Sequence, residues 1–373
     1  MLELAGAVGT LAVLQSNASE SVLPVQTLMR RPPADTLPSR IAFGSCANQD
    51  QPQPIWDAVL EADPELFIFL GDNIYGDTRD PGVLRAKYDR FATQPGFRRL
   101  CERMPVLAIW DDHDFGENDA GGDYPMKEAS RQLFCDFWGE PANSPRRTQE
   151  GIYDAVMLSA GGRRLQILLP DLRFNRTPLR HREFPGLVCK VKSKKMHRDP
   201  RGDPGPYERN PDPLASMLGE SQWRWLERQL AQPAEIRILA SSVQVVADFP
   251  GWEGWINFAT DHQRLLQTIR RQRADGLVCI SGDMHYAEIS RLGLNVPYPI
   301  WDFTSSGLTE VWDVPTPNMM RVGKVFAESN FGLLSLDWQA IGGPTLRFEA
   351  RDAQGRSRLV QDVNIAELVN GAA

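Results

Sequence analysis

Three apolar stretches decide the fold: RIAFGSC (40–46), LFIFLGDNIY (66–75) and VLAIWDDHD (106–114). Between them, PIWDAVLEA (54–62) and VLRAKYDRFA (83–92) carry helical periodicity, so the order reads β-α-β-α-β. Further apolar runs at 165–172 and 236–246 continue the pattern. So do the helical SQWRWLERQL (221–230) and HQRLLQTIRRQR (262–273), and the strand LVCISGDMH (277–285). The whole is a layered α/β reading. FGLLSLDW (331–338) and TLRFEARD (345–352) alternate and are expected as antiparallel closing strands. No internal repeat and no domain boundary is visible after residue 40.

The rest of the chain sets limits. With 373 residues, 42% hydrophobic and 24% charged, the composition is that of a globular protein and excludes disorder and collagen-like structure. The net charge of 41 − 48 = −7 offers no global field for nucleic acid or an anionic membrane, so any phosphate binding must rely on a local cation. Five cysteines (Cys46, Cys101, Cys135, Cys189, Cys279) are odd in number, far apart and never CxxC, so they form neither a disulfide framework nor a zinc finger. The apolar run at 2–14, followed by polar QSNASES, reads as the end of a secretory signal lacking its basic start. It is too short to span a bilayer. Export to the periplasm or outside is the expectation, with a cytoplasmic protein if Met1 is the true start. Residues 1–39 are thus a signal-like segment and linker, and 40–373 the globular domain. The Pro-, Gly- and base-rich stretch 176–213 reads either as a solvated excursion or as a flap facing the substrate.

Polar, metal-competent residues stand at four strand ends, where open α/β sheets place their ligand sites. They are Ser45-Cys46, the segment from Asp72 to Tyr75, the segment from Asp111 to Asp114, and the segment from Asp283 to His285. A single Asp after a strand is usually a turn or a helix cap. Four such ends on one edge point to chemistry, and two of only five histidines, His113 and His285, fall within them. Asp and Asn oxygens suit hard cations such as Ca²⁺, Mg²⁺ or Mn²⁺, whereas a Tyr phenolate and a Cys thiolate near a His suit a ferric ion. Two adjacent cations can clamp a phosphoryl group and supply a hydroxide nucleophile, while an uncoordinated His protonates the leaving oxygen. Taken alone, Cys46 also reads as a buried apolar thiol, Tyr75 as a packing residue and His113 as a hydrogen-bonded core histidine.

The segments GSC, GDNIY, WDDHD…N, DLR, GxxQxxWL, SGDMHxxE and TSSGLT, in this order from 44 to 309, resemble the PhoD-type alkaline phosphatases of the calcineurin-like metallophosphoesterases. The resemblance implies an α/β fold built as a four-layer αββα sandwich. It also implies hydrolysis of phosphomonoesters and phosphodiesters with Fe³⁺ and Ca²⁺, and some relatives act as phospholipase D. Residue by residue, Asp72 matches the bridging carboxylate, Tyr75 the phenolate ligand to iron and Cys46 the family's thiolate. His285 matches the last ligand of the superfamily's G-H-x-H signature, and Asp283 stands at its first His. Asp112 stands where the superfamily carries an Asn ligand, which makes His113 the catalytic His. Asn118 matches a downstream Asn ligand, and Asp114 replaces the family's Glu. Arg173 is expected to steady a substrate phosphate. His181, His197 and His262 are left as surface or loop residues. Trp252, Trp255, Trp301 and Trp312 default to core packing, with Trp252 or Trp255 a candidate wall of the cleft. The segment 360–373 is a weak counterpart of a C-terminal helix that plugs the site in some members. The competing readings are phospholipase D activity, marked by an apolar rim, and an inactive binding protein, marked by lost ligand residues.

Overall fold

The computed structural model describes residues 24–183 and 205–371. In the first part of the chain, β1 (Arg40–Gly44), β2 (Leu66–Leu70) and β3 (Val106–Ile109) alternate with α1 (Ile55–Glu61), α2 (Pro81–Ala92) and α3 (Pro95–Arg103). A short α4 (Asp112–Phe115) and the longer α5 (Lys127–Phe137) follow. The middle holds β4 (Asp154–Ala160), β5 (Arg163–Leu169), the two-residue β6 (Arg180–His181) and β7 (Tyr207–Glu208), α6 (Gly219–Leu230), β8 (Ile236–Ser241) and α7 (Ala259–Gln272). The last part is β9 (Leu277–Ser281), β10 (Ala287–Leu292), β11 (Ile300–Ser305), β12 (Asn330–Asp337), β13 (Thr345–Asp352) and β14 (Ser357–Asn364).

Two six-stranded sheets result, in the orders β14-β13-β12-β1-β2-β3 and β10-β11-β9-β8-β5-β4. Strands β1, β2 and β3 are parallel, as are β5, β8, β9 and β11. The closing strands β12 and β13 pair antiparallel, as their alternation predicts, and β14 joins β13 antiparallel. Side chains of β2 alternate between two environments. Phe67 and Phe69 point to the helices, where Phe69 meets Trp56 at 5.9 Å, Phe97 at 5.7 Å and Trp138 at 5.0 Å between ring centroids. The opposite face of this sheet meets the second sheet, with Phe348 of β13 stacked on Phe303 of β11 at 4.6 Å. On the far side, α6 and α7 bury Trp223, Leu226, Leu265 and Ile269. Each such side chain contributes about 1.5–3 kcal/mol on leaving water. The product is an αββα sandwich.

Local signals explain the boundaries. Asp80 caps α2 by accepting hydrogen bonds from the Gly82 and Val83 N–H groups, with Pro81 at the first helical position. The expected plug helix does not form. Residues 360–364 belong instead to the edge strand β14, because SRLVQDVN alternates with period two against β13. The tail then docks where the Leu368 carbonyl accepts from Gly276 N–H at 2.7 Å, at the N-terminal end of β9. That is the end opposite the candidate site. The signal-like run at 2–14 and residues 184–204 of the 176–213 stretch lie outside the described residues. The flanks of that stretch pair as β6 and β7.

Candidate metal centre

The parallel strands of both sheets end on one edge, and the loops leaving β1, β2, β3, β8 and β9 carry the donors. Four of these donors sit in left-handed backbone: Cys46 (φ 63°), Asp72 (φ 49°), Asp283 (φ 67°) and His285 (φ 60°). Such residues store on the order of 1–3 kcal/mol each and cluster at functional sites. Gly71 (φ +95°) shows how tightly the loops meet. A Cβ there would lie 2.5 Å from Asp111 Cβ and 2.6 Å from its backbone N. Asp114 ties the same loops together. Its Oδ1 accepts from the N–H groups of Asp72 (3.2 Å) and Asp111 (2.6 Å), and its Oδ2 from Asn73 Nδ2 (2.5 Å). Burial pushes its carboxyl up to about 8.

The donors form linked groups, each with its atoms within 4.8 Å of one another. Cys46, Asp72 and His285 make one, and Asp72, Asp112 and His113 a second. Asp111, Asp112 and Asp283 make a third, and Asp112, Asp119 and Glu253 a fourth. Asp72 is common to the first two. The Cys46 thiol lies 3.3 Å from Asp72 Oδ2 and 3.1 Å from Ser306 Oγ, and Tyr75 Oη lies 3.2 Å from His285 Nε2. His113 Nδ1 sits 2.7 Å from Asp77 Oδ1, and its ring lies 4.4 Å from that of Tyr75.

Electrostatics and unmet hydrogen bonds both fit a bound cation. Burial, and then the charge of Asp112, drives the Asp72 carboxyl well up; burial also raises Asp283, the Cys46 thiol and the Tyr75 phenol. Burial also works against His113, yet Asp112 and Asp72 hold its imidazolium charged far above the usual range. Asp72 Oδ1 and Asp111 Oδ2 are buried and accept no hydrogen bond from any described residue. A cation reverses this logic, because it favours the ionised form of every donor it touches. The donor set also has two characters: sulfur, phenol and imidazole around Cys46, Tyr75 and His285, and carboxylate oxygen around Asp112, Asp119, Asp283 and Glu253.

Two expected residues stand elsewhere. Arg173 is 1% exposed, with Nε 2.6 Å from Asp111 Oδ1 and its two terminal nitrogens each 2.8 Å from a Glu253 oxygen. The guanidinium is forked onto one carboxylate and bonded to another, so its donors are engaged by these acids. Asn118 is exposed, and its neighbour Asp119 (φ 58°) faces the cluster instead. The Asp119 N–H donates to Asp112 Oδ2 at 2.7 Å, and Tyr207 donates its hydroxyl to the Asp119 carboxylate. The flank of the 176–213 stretch therefore reaches the cluster through Tyr207, and through Arg176, which pairs with Glu253 at 2.5 Å. Asp119 was available to sequence reasoning, one position beyond Asn118. Glu253 lies in a loop with no motif to mark it. Trp255 is wholly buried against Trp223, whereas Trp252 is half-buried beside Trp312. His262 lies half-buried on α7 rather than in a loop.

An αββα sandwich with linked acid, thiol, phenol and imidazole donors at the strand ends defines a metallophosphoesterase. The chain belongs to the PhoD-like phosphatase family, whose pattern matches residues 41–331. No curated protein matches it. Among solved structures, one described as the structure of PhoD is 14% identical with a TM-score of 0.61, covering 90% of this chain and 73% of its own. The purple acid phosphatase PPD1 from yellow lupin (Lupinus luteus) seeds is 13% identical, TM-score 0.56, covering 89% and 55%. GAP50, the anchor in the inner membrane complex of Plasmodium, is 13% identical, TM-score 0.50, covering 88% and 89%. At these identities the likeness concerns the fold, which serves phosphatases and an anchor alike, so the chemistry must be argued from the donors.

Proposed function

We propose that this protein hydrolyses phosphate esters, phosphodiesters and/or phosphomonoesters, at a bimetallic centre of the Fe³⁺ and Ca²⁺ type. The observation that carries the reading is the chain of shared carboxylates: Asp72 belongs both to the sulfur-and-imidazole group with Cys46 and His285 and to the group with Asp112 and His113, and Asp112 in turn belongs to the two all-carboxylate groups that contain Asp283, Asp119 and Glu253. Cys46, Asp72, Tyr75 and His285 would hold the ferric ion. Asp72, Asp112 and Asp283, joined by Asp119 and Glu253, would hold the harder cation. When bound, the cations polarise a phosphoryl oxygen and acidify the attacking water. His113, kept charged by Asp112 and Asp72 and oriented by Asp77, donates a proton to the departing alcohol. Arg173 keeps Asp111 and Glu253 in place from behind the cluster, a positioning role. Asp114 pins the loop backbones on which Asp72 and Asp111 stand.

A phosphate ester is the partner this site selects, and export, suggested by the apolar run at 2–14, would bring it to substrates outside the cytoplasm. The test is hydrolysis of a chromogenic phosphodiester and its monoester counterpart, with Ca²⁺ added and with a chelator control. Turnover abolished by chelation is the expected outcome. Turnover indifferent to chelation, or none in protein that contains both metals, would overturn the reading.

A further inference from the structure

A row of rings leads from the donor cluster to the surface. His113 lies 4.4 Å from Tyr75, Tyr75 Oη touches His285 Nε2 at 3.2 Å, and the His285 ring lies 4.4 Å from Trp312. Trp312 then meets Trp252 at 5.9 Å with the ring planes at 63°. Both indoles are half-buried, so each keeps accessible area. The Trp312 N–H donates to the His285 carbonyl at 2.9 Å, and Trp252 precedes Glu253, which Arg173 and Arg176 clamp. Where the two loops meet, Met319 N–H donates to the Asp248 carboxylate at 2.9 Å.

Resting on the phosphoesterase reading, we propose that Trp252 and Trp312 form a preorganised corner that seats a flat aromatic group of the ester beside the metal-held phosphoryl. The chemistry of the surroundings selects the occupant. The corner is made of two uncharged indoles, which offer no countercharge to an anionic group and present ring surface to a neutral one. Two rings inclined at 63° offer one face and one edge to a third ring, the offset and edge-on geometry that aromatic pairs prefer. Hydrogen bonds fix both loops, so seating the ring orders little further.

The test measures binding of phenylphosphonate, methylphosphonate, hexylphosphonate and orthophosphate to the metal-loaded protein by calorimetry, and phosphate release from phenyl and methyl phosphate. Wild type is compared with Trp252→Ala and Trp252→Phe. Trp252→Ala should bind phenylphosphonate about tenfold more weakly, the loss expected for one stacked ring. Methylphosphonate and orthophosphate should stay within about twofold of wild type, and Trp252→Phe should recover part of the loss. An equal loss on all ligands would make Trp252 a prop of the metal loop, and no loss would put the corner off the substrate's path; either overturns the proposal while phosphate release still supports the phosphoesterase reading. Hexylphosphonate bound as tightly as phenylphosphonate, with the same dependence on Trp252, would overturn the choice of a flat ring. A loaded wild type that binds no phosphonate and releases no phosphate would refute the corner and the underlying reading together.

Discussion

Replacing Arg173 by Met separates a structural cation from a substrate-binding one. In the structure its guanidinium forks onto Glu253 and bonds Asp111, with Asp112 Oδ1 at 3.7 Å, all out of water. Met fills similar volume and removes the charge. Two carboxylates then face each other buried, with only Arg176 left near Glu253. Breaking a buried pair from one side costs about 3–5 kcal/mol. With an unfolding entropy near 0.8 kcal/mol/K for 373 residues, that is a fall in Tm of about 4–6 °C. Asp111 already sits well above the usual carboxylate range because of burial, and losing Arg173 raises it further. A folded carboxyl whose pKa exceeds its unfolded value loses stability as pH rises through the folded value. The destabilisation should therefore be larger at pH 8 than at pH 6. The assay is a thermal melt of wild type and variant at both values, beside kcat and KM for a phosphate ester. An unchanged Tm at both pH values with a raised KM would refute the structural role and return Arg173 to the substrate.

Other perturbations follow from the same geometry. Gly71→Ala places a methyl 2.5 Å from Asp111 Cβ in a left-handed backbone, and neither neighbour can yield; a loss of upward of ~2 kcal/mol in denaturant unfolding and a reduced metal content are expected. Stripping bound cations with a chelator should lower stability, by about 2.7 kcal/mol relative to protein at one hundred times the Kd, or roughly 3 °C in Tm; an unshifted melt would argue against cation binding by the acids. Burial, reinforced by Arg209, lowers His262 to about 4. Its contribution is whole above pH 6.5 and is lost as pH falls toward 4, amounting to about 3 kcal/mol. His262→Gln should flatten that acid limb in pH-dependent unfolding.

The sandwich was legible where burial is strongest. The runs that became β1, β2, β3, β5, β8 and β9 are nearly continuous in apolar residues, and their polar ends marked the site edge. What escaped was amphipathic or local. Helix α3 begins at Pro95 inside a stretch rich in Arg, and β4, β10 and β11 carry polar residues such as Ser159, Glu288 and Asp302, which find buried or edge partners that only the fold supplies. The tail of the chain was misjudged because a short apolar-polar alternation fits a strand as readily as a frayed helix. At the site, strand-end position and motif singled out Cys46, Asp72, Tyr75, Asp112, Asp283 and His285, which the fold brings close to one another. Motif spacing pointed to Asn118, which is exposed, while Asp119, in a left-handed turn, lies beside Asp112 and Glu253. Glu253 carries no signal in a single sequence, since only the fold brings it to Arg173, Arg176, Asp112 and Asp119.

The split of the donors between the two sheets has a consequence for biosynthesis. Cys46 and His285 are 285 − 46 = 239 positions apart, so a ribosome needs on the order of 10–50 s to pass from one to the other. During that interval a nascent chain holds Cys46, Asp72 and Asp112 without their partners. The first sheet is also open beside β1 until β12 has been made. On the proposed reading, a complete ion site would form only once both halves of the chain have closed on one another.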